Sequence, residues 1–124
     1  MITMYKAEYK STAYSTLCAA TAPPTLTRVS PSFVVGREGA AVEMRCDASG
    51  VPAPSVSWLK DGHLLDVAAS PLVTTTHDDR RLVFRHLVRA DAAIYTCLFK
   101  NSVAQTSHDI RLVVEGFQFQ SIRR

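Results

Sequence analysis

The chain has 124 residues, 47% of them hydrophobic, and a formal net charge of +3. That suits a single domain with one core, since a chain of this size buries about two-thirds of its unfolded surface. The charge is too mild for a nucleic-acid footprint, and no stacking aromatic motif accompanies Arg80, Arg81, Arg85 and Arg89. No stretch of about 18 apolar residues runs unbroken, so no helical membrane span is expected.

Residues 1–20 read differently from the rest: Tyr5-Lys-Ala-Glu8 and Tyr14-Ser-Thr-Leu17 are two short extended runs. They resemble Tyr95 to Asn101 followed by Ser107 to Val114, a weak internal repeat of Tyr, strand, turn and strand. The segment reads either as the last hairpin of a preceding domain or as an unstructured leader. Thr21-Ala-Pro23-Pro24 cannot continue a ladder and reads as a linker over 21–24, with the domain proper over 25–115 and a tail over 116–124. Leu26 to Val35 is an extended edge segment broken at Pro31, and Gly36 to Gly39 turns the chain. Val42, Met44 and Cys46 alternate onto one face, the period-two pattern of a half-buried strand.

Ser49 to Pro54 is a stiff proline loop. Val56 and Trp58 point inward on the next strand, and Asp61-Gly62 reverses the chain. Leu72 to Thr76 is β-rich, and His77 to Arg80 makes a polar hairpin. Leu82 and Phe84 return to the core, Leu87 plugs its end, and Tyr95 shares an inner face with Cys97. Ile110, Leu112 and Val114 alternate along the closing strand, with His108 expected on the outer side. No 3.6-residue stripe appears, so the chain is expected to be all-β.

Catalytic and metal chemistry find little footing. Ser107-His108-Asp109 holds the letters of a triad, but consecutive strand residues point to opposite faces. His63, His77, His86 and His108 lack ligand spacing, and Asp78-Asp79 offers too few oxygens for calcium. No enzyme activity, cofactor or metal is expected.

Several motifs resemble the intermediate (I-set) immunoglobulin family: Gly50-x-Pro52-x-Pro54, Trp58-x-Lys60-Asp61-Gly62, Leu82-x-Phe84 with Leu87, and Asp91-x-Ala93-x-Tyr95-x-Cys97. The resemblance covers about residues 24–115 and implies an antiparallel β-sandwich with Greek-key connections. It also implies that Cys46 and Cys97 face each other between the sheets with Trp58 packed on them. Tyr95 would be the tyrosine corner, and Asp91 would fix the loop before it. The departure is Asn101-Ser-Val-Ala104, where the family usually has Asn-x-x-Gly, so the last turn is expected to differ or carry strain.

In an oxidising compartment Cys46 and Cys97 would bridge. The leftover thiol of Cys18 and the lack of an Asn-x-Ser/Thr site at Asn101 favour a reducing one, with the pair free. The N-terminal phrase and the prolines look like tandem modules of giant muscle proteins of the titin, twitchin and obscurin type. That implies a cytoplasmic, sarcomeric module with neighbouring immunoglobulin domains and muscle cytoskeletal proteins as partners. The alternative is an extracellular adhesion or receptor domain with adhesion partners.

Overall fold

The computed structural model describes residues 20–66, 73–76 and 78–116. The expectations for residues 1–19, for Leu72 and His77, and for most of the tail lie outside them. Among the described residues nine strands form: β1 (Ala22–Val29), β2 (Phe33–Arg37), β3 (Val42–Val51), β4 (Ser55–Lys60), β5 (His63–Leu64), β6 (Val73–Thr76), β7 (Arg81–Phe84), β8 (Ala93–Lys100) and β9 (Gln105–Glu115). A 3-10 turn, Arg89–Asp91, precedes β8. The strands make two sheets, one in the order β2-β9-β8-β4-β5 and the other in the order β1-β3-β7-β6. Every pairing is antiparallel except β2 with β9, which is parallel. The architecture is an immunoglobulin-like sandwich, mixed at that one ladder.

Alternation along each strand sends one side chain in two to the seam between the sheets. Met44, Cys46, Leu82, Leu87, Cys97, Phe99 and Ile110 are wholly buried there, with Trp58, Phe84, Tyr95 and Leu112 almost so. Burying a large apolar side chain of this kind stabilises by about 1.5–3 kcal/mol relative to leaving it exposed. The Phe84 and Tyr95 rings meet edge to face at 5.2 Å between centroids, the arrangement their quadrupoles favour.

The first segment crosses between sheets at Pro31. β1 pairs with β3 in one sheet and β2 with β9 in the other, so the break between Val29 and Phe33 is where the chain changes layer. The linker expected over 21–24 is a correction: β1 begins at Ala22, which pairs with Val51, and runs through Pro23 and Pro24. The ladder tolerates the two prolines because the register shifts between Ala22 and Thr25, so neither needs a backbone donor.

Gly36 lies in β2 rather than in the turn. A Cβ there would stand 2.4 Å from Leu87 Cδ1, so the side chain has to be absent for Leu87 to close that end of the core. The turn that follows uses Gly39 at φ 88° and is tied to Leu87 by two backbone bonds, Gly39 N–H to Leu87 O and Leu87 N–H to Ala40 O. Asp61 and Gly62 both take positive φ, as the tight β4–β5 reversal requires.

Candidate interaction surface

Cys46 on β3 and Cys97 on β8 form a disulfide with Cα atoms 6.5 Å apart, joining the two sheets. The free thiol pair expected from the sequence is therefore not what the structure contains. Facing inner positions put the sulphurs within bonding reach, and neither the Cys18 count nor the missing glycosylation site bears on that geometry. Trp58 stands opposite Cys97 in the β4–β8 register, and its indole N–H donates to the Asp79 carbonyl at 2.8 Å. That bond ties the core to the β6–β7 turn, where Asp78 and Asp79 both adopt positive φ.

At the opposite end of the seam, the Tyr95 hydroxyl donates to the Asp91 carbonyl at 2.6 Å. The Asp91 carboxylate accepts from the Val88 N–H at 2.9 Å, which fixes the 3-10 turn leading into β8. Burial first, and then the nearby Asp91 and Asp61 carboxylates, hold the Tyr95 phenol well above its ordinary ionisation range. Leu82, Phe84 and Leu87 belong to the same buried core cluster as Tyr95, Cys46 and Cys97.

Asn101 is the feature that sequence reasoning read differently. Its Oδ1 accepts from the Val103 and Ala104 N–H groups, while its Nδ2 donates to the Ala22 and Pro52 carbonyls. Ala104 is not among the residues at positive φ, so of the two expected outcomes, a different turn or a strained one, the turn differs. The side chain replaces the job a glycine would do in the turn, and it also clasps β1 and the proline loop. The pattern Asn-x-Val-Ala carries no signal for those last two contacts, because both acceptors are distant in sequence.

His108 is a second correction. It shares the inward parity of Ile110, is half-buried, and its Nε2 lies 2.8 Å from the Ser30 carbonyl, which requires a proton on that nitrogen. Asp109 points the other way and accepts from Thr96 Oγ1 at 2.7 Å. Ser107, His108 and Asp109 thus do not meet. Among the described residues no group of three or more His, Cys, Asp or Glu is gathered to hold a metal.

The arginines read as one exposed cluster are spread over separate tasks. Arg80 reaches over the Phe99 ring at 5.5 Å and donates to the Ala48 carbonyl. Arg81 pairs with Glu43, and Arg89 lies 3.7 Å from Glu38.

The outer side of the five-stranded sheet has a different character. The β2–β9–β8 register puts Phe33, Arg111 and Ile94 in one cross-strand row, with Val35 beside Val113 in the next. Phe33, Val35 and Ile94 are 56%, 48% and 39% exposed, and Leu64 at the far edge is 72% exposed. A groove of about 370 Å³ opens alongside, lined by Asp61, Ala92 to Ile94 and Arg111 to Val114. Its one acid, Asp61, already accepts from the Ile94 N–H at 3.0 Å. The surface offers apolar contact and a strand edge, which is the chemistry of protein recognition.

A family model for the immunoglobulin I-set domain matches residues 24–114. The chain belongs to the immunoglobulin I-set family. Domains of this family are generally non-catalytic and mediate protein–protein contacts. The chain is 36% identical over 98 residues to protein turtle homolog B of Mus musculus, covering 79% of this chain and 7% of that protein. It is 32% identical over 85 residues to palladin of Rattus norvegicus, covering 68% of this chain and 14% of palladin. This domain therefore spans only a small part of the relatives it matches. Among solved structures, the Sidekick-1 immunoglobulin domains superpose with a TM-score of 0.71 at 26% identity, covering 76% of this chain and 24% of that one. The titin M10–obscurin-like 1 immunoglobulin complex gives 0.69 at 28% identity, covering 77% of this chain and 97% of that one. The relatives thus include both adhesion or receptor proteins and muscle proteins.

Proposed function

We propose that this I-set domain is a non-catalytic protein-interaction module of a larger multidomain protein that works in an oxidising setting, at the cell surface or outside the cell. The Cys46–Cys97 disulfide carries the reading, because such bonds form and persist in oxidising compartments and are rare in the cytosol. The similarity to turtle supports it, and the exposed apolar row on the five-stranded sheet supplies a surface for protein contact. Partners on this reading are other proteins and neighbouring immunoglobulin domains of the same chain.

A second reading keeps the domain in the cytoplasm as a sarcomeric or cytoskeletal module. The palladin similarity and the titin superposition favour it. Thiol state separates the two. Protein isolated from its natural source is alkylated before any reduction, and its peptides are weighed. Cys46 and Cys97 recovered as a bridged pair support the surface reading; both recovered alkylated overturn it and favour the cytoskeletal one.

A further inference from the structure

Among the described residues the two sheets present four edge strands, and three of them are poor templates for pairing. β1 contains two prolines and two register shifts, β5 has two residues, and β6 has four. Short, kinked or proline-bearing edges are how sheet proteins avoid unwanted pairing. β2 has none of these protections. It runs in unbroken register beside β9, from Phe33 opposite Arg111 to Arg37 opposite Glu115.

The hydrogen bonds of that ladder fix which main-chain groups are taken. Arg111 N–H donates to the Ser32 carbonyl, and Glu38 N–H to the Glu115 carbonyl. The β9-facing groups on β2 are therefore those of Ser32, Val34, Gly36 and Glu38. The N–H and C=O groups of Phe33 and Val35 and the N–H of Arg37 point away from the sheet, along an edge that no described strand covers, while the Arg37 carbonyl accepts from the Ala40 N–H. The side chains of the same three residues are the exposed ones.

We propose that β2 is a homodimerisation edge, pairing antiparallel with β2 of a second copy of this chain across a two-fold axis at Val35. The register is self-complementary. Val35 meets Val35 of the second copy, and Phe33 meets Arg37 of the second copy on both sides of the axis. The Val35 pair closes two hydrogen bonds, and each Phe33–Arg37 pair closes one from the Arg37 N–H to the Phe33 carbonyl, because the Arg37 carbonyl already accepts from the Ala40 N–H. The Arg37 guanidinium of one copy lies over the Phe33 ring of the other, a cation matched to an aromatic face. An isologous contact of this kind closes on itself and does not propagate into a fibre. A second copy suits this edge because the one cationic position and the one aromatic position are symmetric about Val35. This inference goes beyond the compartment reading and does not rest on it, since bridged or free Cys46 and Cys97 leave the edge unchanged.

The test is sedimentation of the full chain at rising concentration up to about 1 mM, the weak end of specific association. A gel run without reductant removes any dimer linked through Cys18 from the count. The unaltered chain is expected to form dimers in this range. V35K and V35E each place like charges face to face at the axis, and each should weaken association by at least about tenfold. An equimolar mixture of the two should recover it to within about threefold of the unaltered chain, which an unfolded variant could not do. Amide exchange on the unaltered protein gives a readout without substitutions: Val35 and Arg37 should become protected as concentration rises, while Val103 should not. A chain that stays monomeric throughout the range overturns the proposal. So does a dimer whose Val35 and Arg37 amides remain unprotected, or a V35K and V35E mixture no tighter than either variant alone.

Discussion

On the outer side of the four-stranded sheet, Glu43 pairs with Arg81 and Arg45 with Asp47. On the outer side of the five-stranded sheet, Phe33, Val35 and Ile94 stand exposed beside Arg37 and Arg111. Both sheets contribute buried residues to the one core. Charge pairs on the first face satisfy one another and give water a polar surface. The second face leaves apolar area uncovered, which folding alone does not require. The contrast supports the contact role proposed for the five-stranded layer.

Removing the shared interior should break both faces together. Trp58→Ala empties a large buried site and leaves the Asp79 carbonyl without its donor, so we expect a loss of about 3–5 kcal/mol in a urea melt. A melt indistinguishable from the parent would contradict the placement of the indole. Gly36→Val drives a side chain into Leu87 and should cost about 1–3 kcal/mol, read by the same melt. Its effect should exceed that of any substitution at the exposed neighbour Val35.

Tyr95→Phe keeps the ring and deletes one bond, leaving the Asp91 carbonyl unpaired, with an expected loss of about 1–2 kcal/mol. The same variant has a pH signature. The folded phenol ionises above its unfolded value, so the folded state holds the proton longer. The stability from this group is complete below about pH 10 and is lost as pH rises past it, through the unfolded and then the folded ionisation. Melts of parent and Tyr95→Phe from neutral to strongly alkaline pH should therefore converge as pH increases.

Smaller effects sharpen the contrast between the faces. His108→Ala deletes a half-buried bond to Ser30 and should cost about 1 kcal/mol, where an outer-face histidine would cost under about 0.5. Glu43→Ala removes a partly exposed ion pair from the charged face and should cost about 0.2–1 kcal/mol, shrinking as salt is raised.

Much of the fold was legible in the sequence because period-two alternation and the Cys46, Trp58, Tyr95 and Cys97 set are local or fixed in spacing. The Asp61-Gly62 reversal was legible for the same reason, since its positive φ is a demand of the turn itself. What escaped was decided by distant partners. Pro23 and Pro24 looked like a linker because nothing nearby shows that β3 accepts them beside a register shift. His108 looked outward until Ser30 supplied an acceptor from across the fold. Asn101 held the least visible role, since its clasp joins three segments that only the folded chain brings together. The exposed row on the five-stranded sheet was hidden too, because exposure of Phe33 and Val35 depends on which strand lies beside β2.

Residue-resolved amide exchange at low micromolar concentration tests the contrast most directly. The account predicts slow exchange at Cys46, Trp58, Tyr95 and Cys97, and an alternating record along β2, with Val34 and Gly36 slow and Phe33, Val35 and Arg37 fast. Uniform protection along β2 in the dilute monomer, or fast exchange at the cystine strands, would contradict it.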